Sequence, residues 1–231
     1  MPYFELQKDE FKLPPAYFAD IDGLLAVGGK ISAENLLKAY GEGAYYWHHP
    51  LKRIQWWSPD PRIVLFPESY PWDEQAYKQL SEKYELSVNL NFENLLRLCQ
   101  EYYNRETQMG PQWLSERMFR IFMELHRQGY IQSIEVWDQG ELAGGIFGAT
   151  IEKLFFGEYL VGTSDAVMNF AVNSLIKKLC EKGYKLMDMQ KETVFFQGIP
   201  YEEMARLTYV SICKENAMAI SNQAFKPRDL I

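Results

Sequence analysis

The spacing of hydrophobic and polar positions becomes regular after the first third of the chain. Two stretches, residues 92–105 and 116–128, repeat hydrophobic residues at helical spacing. Ser115 stands at the N-cap position of the second stretch, and Gly129 follows its end. Both stretches therefore predict amphipathic helices that pack one face on a core.

Three strand-like runs come next, at residues 131–137, 142–150 and 153–161. Only the short turns DQGE and IEK separate them, so neighbouring runs are expected to pair antiparallel as a meander. A long helix predicted from Ser164 to Gly183 then leads to a further strand at 184–190. A strand, a helix of this length and another strand form a right-handed crossover, so the last two strands should be parallel.

Two helices, a meander and a crossover follow one another in the order of the acetyltransferase-like (GNAT) fold. The predicted class is α+β, with a GNAT-like mixed sheet, flanking helices and a small N-terminal α/β domain. In the N-terminal part, Ser32 caps a short helix, and prolines 59, 61 and 67 confine any strand to short pieces at a sheet edge. The expected domains are 1–88, which carries WWSPDPR, and 89–231.

Composition excludes several classes of protein. The 231 residues contain no apolar run near the ~20 residues that span a bilayer, and the first residues lack a signal-peptide pattern, so a cytoplasmic protein is expected. The three cysteines are scattered, and the adjacent His48 and His49 point in different directions on an extended chain, so no metal or cofactor is expected. A net charge of −7 disfavours binding along a long phosphate backbone.

Several short motifs along the chain are specific enough to compare with a known family. Seven contiguous residues, WWSPDPR from Trp56 to Arg62, and the GG turn and aromatic residues of the segment before them resemble the N-terminal pattern of the leucyl/phenylalanyl-tRNA–protein transferase family. The resemblance continues through Gln112-Trp113-Leu114, Gly144-Gly145 and Phe155-Phe156-Gly157-Glu158, and it ends at Asp188-Met189-Gln190, which is similar to the Asp-x-Gln signature of the family.

This resemblance implies an enzyme that moves Leu, Phe or a similar apolar residue from aminoacyl-tRNA to a protein N-terminus that starts with Arg or Lys. It implies no coenzyme A, a small N-terminal domain packed on a GNAT-like domain, and marking of the product for N-end-rule degradation. The aminoacyl 3′ end of tRNA and the acceptor protein are the expected partners, and a monomer is expected.

Two departures from the family pattern keep alternatives open. Tyr159-Leu160-Val161-Gly162-Thr163 stands where the family has Ser-Met-Phe-Ser-Arg, and the family's Ser-Leu-Gly-Ala element is missing after Gln190, where only Arg206 matches. The alternatives are an acyl-CoA-dependent GNAT N-acyltransferase, or a catalytically weakened descendant that binds peptide N-termini. The first would need a glycine-rich turn for pyrophosphate, whereas the junction here reads LVGTSDAV.

The resemblance to the Asp-x-Gln signature makes Asp188 and Gln190 the predicted catalytic residues; the alternative is that both are polar strand-end residues that satisfy nearby backbone groups. At positions i and i+2 of one strand their side chains would emerge on the same face, near the strand end where such sheets bind ligands. Asp188 would hold the acceptor ammonium and accept its proton, and Gln190 would orient the amine or stabilise an oxyanion. Glu158 would face the same cleft and hold a substrate amino group, and a surface ion pair is the alternative.

The other predicted site residues bind substrate. Trp47 and Trp113 are candidates to stack on the terminal adenosine, although interdomain packing is an alternative, and Lys52, Arg53 and Arg62 are the best local phosphate contacts. Arg62 could instead pair with Asp60 or a backbone carbonyl. A pocket for the transferred side chain, with core packing as the alternative, is expected from Ile146, Phe155, Val172, Leu175, Leu179 and Met187.

Overall fold

A computed structural model describes residues 3–8, 11–48, 53–106, 114–191 and 199–220. The helices are α1 (Ala33–Gly41), α2 (Glu74–Lys83), α3 (Phe92–Glu106), α4 (Glu116–Arg127), α5 (Asp165–Glu181) and α6 (Arg206–Ile220). Ser32, Ser115 and Ser164 each accept a hydrogen bond from a backbone N–H of the first turn that follows, so the predicted N-caps are confirmed. Among the described residues, no helix combines the length and apolar character needed to cross a membrane.

The larger sheet has seven strands in the order β11-β5-β10-β9-β8-β7-β6. Its strands are β5 (Arg62–Leu65), β6 (Glu85–Val88), β7 (Ile131–Asp138), β8 (Glu141–Ile151), β9 (Leu154–Gly162), β10 (Leu186–Asp188) and β11 (Glu202–Met204). The antiparallel meander β7-β8-β9 is confirmed, and so is the parallel pairing of β9 with β10 after α5. The fold is therefore α+β with a GNAT-like mixed sheet.

The smaller sheet contains β1 (Phe4–Leu6), β2 (Leu24–Gly28), β3 (Tyr45–His48) and β4 (Ile54–Trp57), in the order β1-β2-β4-β3. The prolines near β4 and β5 do not restrict those strands to edges, so that expectation is wrong: β4 lies between β2 and β3, and β5 between β10 and β11. Pro59 and Pro61 fall between the two strands and Pro67 falls after β5, so no ladder hydrogen bond is lost.

β5 and β6 precede residue 89 and yet pair in the larger sheet. The division of the chain into domains at residue 88 stays a prediction.

The larger sheet separates two hydrophobic clusters. On one face α5 and α2 pack against residues such as Phe155 and Met187. On the other face lie α3, α4 and α6 together with α1 and the smaller sheet, against residues such as Phe156 and Leu186. Neighbouring residues of one strand therefore belong to different clusters. This alternation has the period of two that is expected of strands buried on both faces.

Candidate active site

A β-bulge in β9 positions Glu158. Phe147 and Gly148 are consecutive in β8, but they pair with Tyr159 and Gly157, so Glu158 is an extra residue with no partner in the ladder. Phe156 and Tyr159 accordingly lie in the same hydrophobic cluster, although they are three residues apart. The bulge turns the Glu158 carboxyl toward α1, where it accepts a hydrogen bond from the Tyr40 hydroxyl.

A buried ion pair joins the two strands beside this bulge. Arg62 in β5 and Asp188 in β10 are 1% and 0% exposed. The guanidinium of Arg62 donates from Nε to Oδ1 at 2.8 Å and from Nη2 to Oδ2 at 2.6 Å. This bidentate geometry satisfies both charges away from water. The expected pairing of Arg62 with Asp60 or a backbone carbonyl is wrong, because Asp188 is the partner and Asp60 accepts from the backbone N–H of Arg206.

Two further donors complete the surroundings of the Asp188 carboxylate. The Tyr209 hydroxyl from α6 donates to Oδ2 at 2.8 Å, and the backbone N–H of Gln190 donates to Oδ1 at 2.8 Å. The rings of Tyr209 and Tyr45 also face the guanidinium of Arg62, with centroids 4.5 and 4.8 Å from Cζ. Both oxygens of Asp188 are thus engaged inside the protein.

A turn after β10, which the sequence did not indicate, places the Gln190 side chain next to Glu158. β10 ends at Asp188, and Gln190 has a φ of 64°, in the left-handed region that side chains rarely adopt. The expectation that Asp188 and Gln190 share one strand is therefore wrong, although the turn keeps them together. The side-chain amide of Gln190 donates from Nε2 to the Gly157 carbonyl at 3.0 Å and to Oε1 of Glu158 at 3.4 Å.

Exposure divides these residues into two groups. Tyr40, Arg62, Asp188 and Tyr209 are at most 1% exposed, whereas Glu158 and Gln190 keep part of their surface in solvent. A substrate that enters the site can therefore touch Glu158 and Gln190 directly, and the buried group surrounds and orients them. This geometry favours Glu158 over Asp188 for direct proton transfer.

The surroundings change the acidity of Glu158. Removal from water raises the pKa of Glu158 to about 8, and the charge of Asp188 acts in the same direction. The hydrogen bond from Tyr40 and the charge of Arg62 oppose this rise. A carboxyl with such a pKa can exchange protons with an amine near neutral pH.

Replacing Glu158 with Gln should make stability less dependent on pH. Below its usual pKa of 4.5 Glu158 is protonated in both states, and between 4.5 and about 8 the unfolded chain releases a proton that the folded protein keeps. The wild type should therefore lose stability relative to Glu158→Gln across that window and differ from it by a constant amount above it. Urea unfolding of both proteins from pH 4.5 to 9 measures the difference, and parallel curves would contradict the raised pKa.

The predicted apolar pocket residues lie within the core. Each of the six is 0% exposed, and all belong to the cluster on the α5 side of the sheet: Ile146, Phe155, Val172, Leu175, Leu179 and Met187. Glu158 points to the opposite face, toward α1. The structure thus places these residues in the packing arrangement that helical spacing also allowed, and their contact with substrate stays a prediction.

The predicted contacts for the tRNA end have different surroundings. Arg53 pairs with Glu5 at 2.7 Å, and Arg62 is committed to Asp188. Arg206 is 7% exposed and donates to the carbonyls of Ala19 and Asp20, so it ties the start of α6 to the N-terminal loop. Trp47 is partly exposed on β3. Trp113, Lys52, His49 and the side chain of His48 lie outside the described residues.

Sequence reasoning missed the aromatic residues that surround the carboxylates. Tyr40, Tyr45 and Tyr209 come from α1, β3 and α6, and none of them shows a sequence pattern that links it to position 158 or 188. Arg62 was the exception, because it ends the intact WWSPDPR motif, yet its role as the partner of Asp188 was not evident. Lys191, which follows Gln190, and Trp57, which lies within the motif, were also missed as possible site residues.

Glu158, a partly exposed residue of raised pKa, lies at a bulge beside the parallel strand pair of the GNAT-like sheet, and such a carboxyl can take part in group transfer. Residues 64–214 match the family described as leucyl/phenylalanyl-tRNA protein transferase, and residues 29–60 match the N-terminal domain of that family. The chain belongs to the leucyl/phenylalanyl-tRNA–protein transferase family, a family of enzymes.

Curated relatives of this name cover most of the chain. The one from Syntrophobacter fumaroxidans is 35% identical over 217 residues, which are 94% of this chain and 92% of the relative. The one from Pseudomonas fluorescens is 36% identical over 207 residues, or 88% and 90% of the two chains.

Solved structures show a more distant likeness. A conserved protein of unknown function from Bacteroides thetaiotaomicron has a TM-score of 0.49 at 10% identity, over 80% of this chain and 64% of that chain. A GCN5-related N-acetyltransferase from Kribbella flavida has a TM-score of 0.40 at 10% identity, over 78% and 64%.

Proposed function

We propose that this protein transfers an amino acid from aminoacyl-tRNA to the α-amino group of a protein N-terminus. The observation that carries the proposal is Glu158, a partly exposed residue whose carboxyl accepts hydrogen bonds from Tyr40 and Gln190 and whose pKa is raised to about 8. An α-ammonium group has a pKa of about 8, so the two groups exchange a proton with little free-energy cost.

The reaction requires two protons to leave the acceptor nitrogen and two bonds to change. Glu158 accepts one proton from the acceptor ammonium, and the freed amine attacks the carbonyl carbon of the aminoacyl ester. A C–N bond forms and the C–O bond to the terminal ribose breaks. Glu158 passes its proton to the departing ribose oxygen, and the attacking nitrogen releases its second proton to water, which leaves a neutral amide. Because the ester is already activated, placing the amine against the carbonyl supplies much of the acceleration.

Gln190 and Asp188 have separate roles in this scheme. The Gln190 amide, which now donates to Gly157 and Glu158, is placed to donate to the oxyanion that develops on the ester carbonyl. Asp188 is a positioning residue, because it receives the Gln190 backbone N–H and is itself held by Arg62 and Tyr209. This group maintains the left-handed conformation that directs the Gln190 amide toward Glu158.

The finer features of the reaction belong to the same proposal. The donor residue is Leu, Phe or a similar apolar residue, and the acceptors begin with Arg or Lys, which suits a protein of net charge −7. The product is marked for degradation, and the enzyme acts in the cytoplasm as a monomer.

A transfer assay tests this function. The protein is incubated with Leu-tRNA, Phe-tRNA or a mixed pool, labelled in the amino acid, together with a peptide that begins with Arg. Label should reach the peptide and should not reach the same peptide when its N-terminus is acetylated. If the peptide binds but remains unlabelled with every donor, the protein is a binding descendant without transfer activity.

Acetyl-CoA should neither bind nor raise the melting temperature. The junction between β9 and α5 contains a single glycine, Gly162, and Ser164 already accepts from the N–H of Val167 in the first turn of α5. This leaves no glycine-rich cradle for a pyrophosphate. A ligand at 100 times its Kd stabilises a fold by ~2.7 kcal/mol, so differential scanning fluorimetry would detect binding, and a clear shift would favour an acyl-CoA-dependent transferase.

A further inference from the structure

The ammonium of Lys191 lies over two indole rings, next to Gln190 in the chain. It follows Gln190 directly, and its ammonium nitrogen is 5.5 Å from the ring centroids of both Trp47 and Trp57. The pairings Tyr45 with Trp57 and Trp47 with Gln55 place both tryptophans on one face of the β3-β4 hairpin. The two rings restrict where the exposed Lys191 side chain can place its charge.

This ammonium has no anionic partner in the described part of the chain. No ion pair of Lys191 is found among those residues, whereas other cations near the site are engaged: Arg62 with Asp188, and Arg53 with Glu5. Arg206 donates to backbone carbonyls. Lys191 is therefore an exposed positive charge beside Gln190, without an ion pair in the described part of the chain, and it is available to a ligand.

We propose that Lys191 binds the 5′-phosphate of the terminal nucleotide of aminoacyl-tRNA, an inference that rests on the proposed function. That phosphate is one ribose away from the ester that reacts, so a cation that holds it must lie next to Glu158 and Gln190. An ammonium and a phosphate form a charge-assisted hydrogen bond, and the indoles keep the ammonium in place before the substrate arrives. The contact explains how an acidic protein holds the end of a nucleic acid.

A cationic side chain of the acceptor is the other ligand that two indole faces could attract. The position of Lys191 argues against it, because the faces of Trp47 and Trp57 already hold a positive charge. A second cation would have to displace Lys191 or endure its repulsion.

Two small donors separate these possibilities. One is the 3′-phenylalanyl ester of adenosine, which has no phosphate, and the other is the same ester of adenosine 5′-monophosphate. Lys191→Gln should raise KM for the phosphate-bearing donor by about ten- to a hundredfold and leave KM for the adenosine ester nearly unchanged. Lys191→Arg keeps the positive charge and should restore the wild-type KM for the phosphate-bearing donor. Lys78→Gln removes the same charge from an exposed site on α2, on the far side of the sheet, and should alter neither value.

Binding of uncharged tRNA at several salt concentrations gives a second readout that needs no transfer. Lys191→Gln should make the slope of log affinity against log salt less negative by about 0.7, as expected for one lost contact to a single strand. Any of three results would overturn the role of Lys191: equal effects on both small donors, a change confined to the KM of the acceptor, or an unchanged salt slope. If the wild-type protein transfers nothing from any donor, the proposed function is wrong. The salt dependence of tRNA binding would still test whether Lys191 contacts a phosphate.

Discussion

Glu158→Gln is expected to slow aminoacyl transfer by about 10²–10⁴-fold, with little change in the KM for tRNA. Glutamine keeps the shape of the side chain and its bond to Tyr40, but it cannot accept the ammonium proton. The defect should therefore appear in single-turnover rates at saturating donor and acceptor. A rate within threefold of the wild type would show that the proton leaves by another route, and Glu158 would then be a binding residue.

Tyr40→Phe is the matched control for this prediction. It retains the carboxyl and removes only the hydroxyl that donates to it, a hydrogen bond that lowers the pKa of Glu158. Its loss should move the inflection of the pH–rate profile to higher pH while the plateau rate stays far above that of Glu158→Gln. An inflection that moves to lower pH would show that the hydroxyl acts on another group.

Asp188→Asn is expected to destabilise the protein by about 3–5 kcal/mol. The substitution leaves the guanidinium of Arg62, which is 1% exposed, without a counter-charge in the interior. The free energy of unfolding from urea titrations measures the effect.

A double-mutant cycle separates the ion pair from the two side chains. Arg62→Met combined with Asp188→Asn removes both charges, so the double variant should lose less stability than the sum of the single losses. Additive losses would mean that the pair contributes no coupling. If Asp188→Asn is as stable as the wild type but slow in transfer, Asp188 acts in the chemistry itself rather than as a positioning residue.

The sequence predicted the parts of the fold that depend on local periodicity. The meander and the crossover follow from short turns and from one long helix, so Glu158 and Asp188 could be placed on neighbouring parallel strands. The site beyond those strands could not be predicted, because its partners are distant in the chain. Arg62 is 126 residues from Asp188, and Tyr40 is 118 residues from Glu158.

Two local details also escaped prediction for physical reasons. The bulge at Glu158 is one extra residue, and the hydrophobic runs on either side of it read as one continuous strand. The left-handed conformation of Gln190 ends β10 two residues before the pattern does. Strands that are hydrophobic on both faces do not reveal where their side-chain alternation shifts.

The bond between Tyr40 and Glu158 crosses from the N-terminal segment to the middle of the chain, and Tyr209 reaches Asp188 from near the other end. The Glu158 and Asp188 carboxyls thus acquire these partners only when α1 and α6 have both docked on the central strands. A nascent chain that has folded only its first half has no competent site. If the chain is cut between Tyr40 and Glu158, the site forms again only when the two fragments reassemble. Activity therefore reports that folding is complete.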